Sequence, residues 1–245
     1  MRSPIVFIHG LIGTLQSEVL CAALRPHETL APDLLGYGSE AHVDPAIISL
    51  EAQAEHVRRA IIAAFGDSPV HLVGHSVGGA IAMLLAHSHP EQVKSVISVE
   101  GNFTLKDAFW SASVARMSSA EAEAMINGFR ADPAAWLGRS GVAATPEAVV
   151  LATDWLSRQP TSTVQAMGKA VVQTTEPASY LTLLRNVFAG IPVHLIAGER
   201  SASGWDVPAW AREQAKSMTV VPGTGHMMMI EDPSAFSKVI SEELK

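Results

Sequence analysis

Cysteine is almost absent from this chain, which removes one common way of stabilising a fold. Cys21 is the only cysteine among 245 residues, so no intramolecular disulfide can form, and this favours a reducing compartment. Long apolar runs are missing too: none reaches the roughly 20 residues that cross a bilayer, and the apolar stretch near the start is too short for a signal peptide. We therefore expect a cytoplasmic protein with no membrane partner.

Charged residues are also scarce, at 17% of the sequence, and their balance is acidic, with a formal net charge of −7. Nucleic acids and anionic lipids are bound by clustered Lys and Arg, so the composition argues against both as partners. Apolar residues reach 48%, which is enough to bury a sizeable core and argues against disorder. The composition therefore indicates a globular protein without a nucleic-acid partner.

Short β-branched apolar runs alternate with helical patterns along the chain. The runs predict six strands, at 4–8, 28–31, 70–73, 93–99, 191–197 and 218–221. Helices are predicted at 46–65 and 77–89, and a last helix should begin after Asp232, with Pro233 at its first position. Strands separated by helices favour an α/β protein with a mostly parallel sheet that is covered on both faces.

The stretch 103–190 breaks this alternation, because it contains several helical patterns and no clear strand. We interpret it as a helical insertion between the fourth and fifth strands. It should lie at the carboxyl ends of the strands, where ligands bind in open α/β sheets. The predicted organisation is a core domain of residues 1–102 and 191–245, with an inserted helical unit at 103–190.

The strongest local signal is a G-x-S-x-G motif that runs from Gly74 to Gly78. It follows an apolar strand and opens an Ala- and Leu-rich helix. In that context the serine sits in a tight strand-to-helix turn with its hydroxyl clear of the sheet, and the helix N-terminus favours negative charge nearby. A capping serine at a glycine-rich helix start is the plainer alternative. We predict that Ser76 is a nucleophile.

A serine hydroxyl is a poor nucleophile without a base, and His226 is the best candidate among the ten histidines. It lies in a Gly-rich loop after the last strand, so it can reach the edge of the sheet where Ser76 lies. His71 and His194 lie inside strands and are expected to be core residues. His75 adjoins the serine, and its ring is expected to point elsewhere in so sharp a turn. The sequence therefore predicts a Ser-His pair.

The segment His9-Gly10-Leu11 ends the first strand, and its loop should lie beside the nucleophile in a sheet of this kind. The backbone N–H groups of Leu11 and Val77 would then point at one spot. Two such donors form an oxyanion hole, in which each contributes a few kcal/mol to stabilising the transition state. An ordinary turn at the end of a strand is the alternative.

A histidine base needs a carboxylate that orients it and stabilises its charged form. Glu100 closes the fourth strand, beside the strand that precedes Ser76, and neighbouring parallel strands lie about 4.8 Å apart. A carboxylate at the end of an apolar strand also needs a partner, either His226 in a triad or a loop arginine such as Arg200. We predict Glu100 as the triad acid. Asp206, in the loop after the fifth strand, is the alternative.

Together these segments resemble the α/β-hydrolase superfamily, in the order and spacing of that family and across nearly the whole chain. The matching segments are His9-Gly10, residues 33–39, residues 74–79 and Gly225-His226. The resemblance implies the α/β-hydrolase fold and a nucleophile–histidine–acid triad, with residues 103–190 as a helical cap. Within the superfamily the chain is similar to the small esterase and lactonase branch.

The chain departs from the family pattern in two places. It begins almost at the strand that carries His9, so the family's first one or two antiparallel edge strands are expected to be missing, which leaves about six strands. The commonest acid position of the family, after the fifth strand here, holds Ser201. Some branches, among them zearalenone lactonase-like and dehalogenase-like members, carry a glutamate acid at the place of Glu100.

We therefore predict a hydrolase of carboxylic esters or lactones that forms an acyl-enzyme through Ser76, His226 and Glu100, without metal or cofactor. A C–C bond hydrolase, a thioesterase, a perhydrolase or a lyase would share this triad. Haloalkane dehalogenases and epoxide hydrolases use a carboxylate nucleophile, which argues against them. From another class, a ligand-binding signalling protein could use the same fold with little turnover.

The substrate should be a small, partly apolar molecule, because the insertion is rich in large apolar side chains. The candidates for the pocket wall are Phe103, Phe109, Trp110, Met117, Met125, Phe129, Trp136 and Trp155. Phe103 and Trp110 both lie near Glu100 in sequence, and we predict that they bind substrate. The other predicted substrate-binding residues are His9, Gly10 and His75. The oligomeric state and the acyl-chain preference do not follow from the sequence.

Overall fold

The computed structural model describes residues 2–245, and its six strands form one sheet. The strands are β1 (Ile5–Ile8), β2 (Thr29–Leu30), β3 (Val70–His75), β4 (Val93–Val99), β5 (Val193–Gly198) and β6 (Ser217–Val221). Their order across the sheet is β2-β1-β3-β4-β5-β6, and every neighbouring pair is parallel. The prediction of a six-stranded, mostly parallel sheet is confirmed.

Helices connect the strands and fill the insertion. They are α1 (Glu18–Ala23), α2 (Leu50–Phe65), α3 (Val77–Ser88), α4 (Phe109–Arg116), α5 (Ser119–Ala131), α6 (Pro133–Arg139), α7 (Pro146–Ser157), α8 (Thr161–Thr175), α9 (Ala178–Gly190), α10 (Ala209–Gln214), α11 (Met228–Glu231) and α12 (Pro233–Glu243). Short 3-10 turns lie at Gly38–Glu40, Pro45–Ile47, Pro90–Gln92 and Ala202–Gly204.

Capping residues decide where two of the predicted helices begin. The helix predicted at 46–65 starts at Leu50, because the Ser49 side chain accepts a hydrogen bond from the backbone N–H of Ala52 and so marks the first turn. Pro45–Ile47 forms a separate 3-10 turn. The last helix begins as predicted, with Asp232 as its cap.

The sheet is covered on both faces. Every residue of β1, β3 and β5 is buried, as expected for parallel strands between two layers of helices. The core helices fall into two contacting groups: α1 lies against α12, while α3 contacts both α2 and α9. Among residues 2–245 no helix has both the length and the apolar character that a bilayer crossing requires. The cytoplasmic location stays a prediction.

The insertion is helical, with α4 packed along α8 and α6 packed against α7. None of its described residues forms a strand. Its last helix, α9, also contacts α3 and α10 of the core, so this end of the insertion packs with the helices that cover the sheet. The division of the chain at residues 103 and 190 stays a prediction.

Four strands end close together at one edge of the sheet. Ile8 pairs in register with Gly74, and His75 pairs with Val99. Val99 in turn pairs with Ile196 on β5. The loops that follow β1, β3, β4 and β5 therefore start side by side, and these loops carry most of the residues that the sequence singled out.

Candidate active site

Ser76 stands between β3 and α3 with a φ of 54°, in the left-handed region that residues other than glycine rarely adopt. Its backbone is held there on both sides. The Ser76 N–H donates to the carbonyl oxygen of Val99 at 3.0 Å, and the Ser76 carbonyl accepts from the N–H of Gly79 at 2.9 Å. Such a conformation costs on the order of 1–3 kcal/mol and tends to cluster at active sites.

Two glycines allow this turn to close. A Cβ atom on Gly78 would lie 2.1 Å from the carbonyl oxygen of Ile8, and one on Gly74 would lie 2.3 Å from the carbonyl oxygen of Gly78. A larger residue at either position would push α3 away from the strands. The G-x-S-x-G motif is therefore required by the close approach of α3 to β1, and this approach sets the position of Ser76.

Glu100 follows β4 and is the only other non-glycine residue of the described chain with a positive φ, at 43°. Its side chain accepts three hydrogen bonds. His226 Nδ1 lies 2.6 Å from Oε2, while the Gly198 N–H and the Ser201 hydroxyl donate to Oε1 at 2.8 and 2.5 Å. Glu100 is thus fixed by groups from the two loops that follow β5 and β6.

The charge of Glu100 follows from these contacts. Burial alone would raise the pKa of this carboxyl group, but the hydrogen bonds and the neighbouring imidazole outweigh burial, so the pKa lies below its ordinary value. Glu100 is therefore ionised at neutral pH. As a carboxylate it can orient the His226 ring and stabilise its protonated form.

His226 lies in the loop between β6 and α11. Because its Nδ1 faces Glu100, Nε2 is the nitrogen that is left to take up a proton. The side chain is 42% exposed, and it lines the same cavity as Ser76. A serine hydroxyl and an imidazole thus face one cavity, and the imidazole is hydrogen-bonded to a carboxylate on its other side.

Arg200 supports this loop rather than Glu100. Its guanidinium pairs with Glu231 and also donates to the carbonyl oxygens of Gly223 and Gly141, the latter at 3.0 Å. Glu231 in turn accepts the N–H of Gly225 at 2.8 Å. The alternative in which Arg200 neutralises Glu100 is therefore wrong: Arg200 has its own carboxylate partner.

His75 is oriented differently from the expectation that its ring points away from the site. Its ring centroid lies 4.5 Å from that of His226, and its Nε2 lies 2.9 Å from the His226 carbonyl oxygen, to which it donates. Burial lowers the pKa of His75 well below the usual value, and the neighbouring His226 lowers it further. The expectation is wrong because the bend at Ser76 directs this ring along the sheet edge, toward the loop of His226.

Asp206, the alternative acid, has other partners. It accepts a hydrogen bond from the Thr104 hydroxyl at 2.8 Å and lies 3.9 Å from Lys106 Nζ. The structure brings Glu100 to His226 and leaves Asp206 in a contact between the loop after β5 and the start of the insertion.

The loop after β1 lies directly against Ser76. A Cβ atom on Gly10 would lie 3.2 Å from the Cβ atom of Ser76, and both Gly10 and Leu11 line the cavity. The Leu11 carbonyl accepts from the hydroxyl of Tyr37 at 2.9 Å, which fixes this loop. Val77 is the first residue of α3, so its N–H has no partner within the helix. An oxyanion hole made by Leu11 and Val77 stays a prediction.

A cavity of about 750 Å³ opens in front of Ser76. Of the apolar candidates in the insertion, five line it: Phe109, Trp110, Met125, Phe129 and Trp136. Other cavity residues were not foreseen as such, among them Ile12, Trp205 and Met227. They lie in loops without periodicity, so no local pattern marks them. Within residues 2–245 no group of three or more His, Cys, Asp or Glu side chains comes together to hold a metal ion.

Two predicted substrate-binding residues lie outside the cavity wall. Phe103 is 1% exposed, and its ring packs 5.8 Å from Trp205 and 6.1 Å from Phe188. His9 is also buried, with its ring 4.7 Å from that of Tyr37, and burial lowers its pKa to about 4. Both predictions are corrected, because these side chains turn into the core although their backbones lie near the site.

Comparison with known proteins gives a family match over almost the whole chain. A family described as "Alpha/beta hydrolase family" matches residues 5–239. A probable lysophospholipase from Arabidopsis thaliana, BODYGUARD 1, is 35% identical over 102 residues, which are 39% of this chain and 22% of that protein. Lipase 3 from Moraxella sp. is 32% identical over 112 residues, 45% of this chain and 34% of that protein.

These relatives are longer proteins, and the aligned part of the chain spans about a fifth to a third of them. A solved structure of a thermophilic esterase from Thermogutta terrifontis superposes with a TM-score of 0.71 at 21% identity, covering 100% of this chain and 90% of that one. At this identity the likeness shows the fold alone.

Proposed function

The chain belongs to the alpha/beta hydrolase family, and we propose that it is a serine hydrolase that cleaves a carboxylic ester or a lactone. One observation carries the proposal. The imidazole of His226 lies 2.6 Å from the ionised carboxylate of Glu100 and shares a cavity with Ser76, which stands in a strained turn at the end of a strand. This combination suits nucleophilic catalysis at a carbonyl carbon.

The proposed reaction has two halves. The Ser76 oxygen bonds to the carbonyl carbon while His226 Nε2 takes the hydroxyl proton, and the carbonyl oxygen becomes an oxyanion held by the N–H groups of Leu11 and Val77. His226 then gives its proton to the leaving alkoxide, which departs as the alcohol and leaves an acyl-enzyme. In the second half His226 deprotonates a water that attacks the acyl carbon. Its proton then returns to Ser76 as the acid leaves.

In this mechanism Glu100 stabilises the imidazolium that forms twice in each turnover. Glu100 rather than Asp206 is the acid in this mechanism, because Asp206 already contacts Thr104 and Lys106. Ser201 stands where the family most often has its acid, and here it donates its hydroxyl to Glu100. The triad carboxylate would therefore come from the end of β4 rather than from the loop after β5. The residue at the usual acid position, Ser201, would instead form a hydrogen bond to that carboxylate.

We further propose that residues 103–190 act as a cap over Ser76. Aromatic and methionine side chains of α4, α5 and α6 form the wall opposite the nucleophile, so the substrate should present an apolar moiety to the cap. The lipase and lysophospholipase names of the relatives support an ester as substrate.

The test is steady-state hydrolysis of 4-nitrophenyl acetate and butyrate by the purified protein. We expect sustained turnover, and in Ser76→Ala a fall in kcat on the order of 10⁶-fold. Ser157→Ala, an exposed serine on α7, is the matched control and should behave as wild type. A single burst without steady turnover would favour a ligand-binding protein. Turnover that persists in Ser76→Ala would end the proposal.

A further inference from the structure

The charged groups that line the cavity have partners, with one exception. Glu100 is bound to His226, and Arg200 is bound to Glu231. The carboxylate of Asp107 accepts three backbone N–H groups at 2.5 to 3.2 Å. Each of these charges is therefore already balanced or hydrogen-bonded by the protein itself.

Arg139, in the last turn of α6, is the exception. Its guanidinium carbon lies 5.5 Å from the centroid of the Phe129 ring. Within residues 2–245 this guanidinium has no carboxylate at ion-pair distance and donates to no acceptor. A contact with the face of an aromatic ring supplies no carboxylate or carbonyl acceptor, so it does not pair the N–H groups with which a guanidinium binds a carboxylate. Arg139 is solvent-exposed, so water reaches these donors and an anionic ligand in the cavity can replace that water.

The position of Arg139 suits a ligand that is apolar over most of its length. Arg139 lines the main cavity and also a side cavity of about 280 Å³ between α5 and α6. Met125, Phe129 and Trp136 line both cavities together with Arg139, so apolar side chains lie on the same cavity walls as the guanidinium. Asp132 also lines the side cavity, but it lies at the opposite end of α6, where its carboxylate caps the helix.

We propose that Arg139 binds an anionic oxygen group of the substrate, a carboxylate being the simplest, so that the enzyme prefers esters or lactones that carry such a group beyond an apolar segment. This inference rests on the proposed function, since it names the substrate class of the same cavity. A planar carboxylate would accept two parallel N–H bonds from the guanidinium. The apolar segment would lie along Phe129 and Trp136.

The kinetic test uses substrates that differ only in the anionic group. The first pair is mono-4-nitrophenyl adipate and 4-nitrophenyl hexanoate. In this pair the adipate carries the free carboxylate on the acyl side. The second pair is 4-(hexanoyloxy)benzoate and phenyl hexanoate. In this pair the benzoate carries the free carboxylate on the alcohol side. In Arg139→Met we expect kcat/KM to fall about ten- to hundredfold for the anionic member of one pair, as when a charge-assisted hydrogen bond is lost, with the neutral member much less affected.

Arg116→Met is the matched control, because Arg116 also lies in the last turn of a cap helix and lines neither cavity. It should keep the wild-type preference, while Arg139→Lys should keep part of it, since a lysine retains the charge without the planar fork. If Arg139→Met changes the anionic and neutral members equally in both pairs, the inference is wrong.

A binding measurement separates this inference from the proposed function. Hexanoate and hexanamide have the same chain and differ in charge, and their effect on thermal unfolding needs no turnover. Hexanoate should stabilise wild type and Arg116→Met more than Arg139→Met, while hexanamide should act equally on all three. If no ester is hydrolysed, the proposed function fails and the two ligands still decide the role of Arg139. Equal hexanoate shifts in all three proteins would overturn it.

Discussion

Replacing Glu100 by glutamine should convert His226 into the wrong tautomer. The Gly198 N–H is a fixed backbone donor that lies 2.8 Å from Oε1, so the amide oxygen of the introduced glutamine must occupy that position. Its NH₂ group then takes the place of Glu100 Oε2, which lies 2.6 Å from His226 Nδ1. Because the amide NH₂ can only donate, Nδ1 must accept, and the ring proton moves to Nε2.

With the proton on Nε2, the imidazole cannot act as a base toward Ser76. The same change in a protease triad lowers kcat by about 10⁴-fold. A loss of about 10³- to 10⁴-fold is therefore expected here, equivalent to roughly 4 to 5.5 kcal/mol at 1.36 kcal/mol per factor of ten. The negative charge that stabilises the imidazolium is removed at the same time, which acts in the same direction.

The assay is kcat and KM for 4-nitrophenyl butyrate across the pH range of the wild-type activity. The loss should fall on kcat, because Glu100 supports the base rather than the bound ester. Asp206→Asn is the control and should stay within about threefold of wild type, since surface polar changes have small effects. The reasoning is refuted if Glu100→Gln keeps near-normal kcat while Asp206→Asn abolishes it.

Two further predictions concern the same loops. His75→Phe keeps a ring beside His226 but removes the donor to its carbonyl oxygen; kcat should fall about tenfold, as for one lost hydrogen bond, and an unchanged kcat would contradict a positioning role. The pKa of Glu100 is lowered in the folded state, so its stabilising contribution is present above the ordinary glutamate pKa of about 4.3 and is lost as the pH falls through the lowered value. Tm measured from about pH 6 to 3 should therefore fall more in wild type than in Glu100→Gln, and a constant difference would argue against this linkage.

Short-range sequence patterns were sufficient to predict where most strands of the sheet lie. The strand predicted at 93–99 and the start of the last helix at Asp232-Pro233 coincide with the observed elements. The second strand, predicted at 28–31, is only Thr29–Leu30 in the structure. A run of apolar residues or a capping residue acts over a few positions, so its effect on the backbone can be read without knowing the rest of the fold.

The predictions for the side chains around the site were right for some residues and wrong for others. The strand ends brought Glu100 within reach of His226 as expected, because parallel strands end at one edge of the sheet. Phe103 was placed by nearness in sequence to Glu100, yet its ring turns away from the cavity into a cluster with Phe188 and Trp205. Nearness along the chain does not determine the direction of a side chain after a strand ends.

The sequence by itself determined the turn that presents Ser76 and the alternation that yields a parallel sheet, because both follow from local backbone sterics and periodic apolar residues. Only the tertiary structure decided that Glu100 rather than Asp206 meets His226, that Arg200 pairs with Glu231, and which aromatic rings face the cavity. Those contacts join residues far apart in the chain, and they depend on how the loops and the insertion pack together.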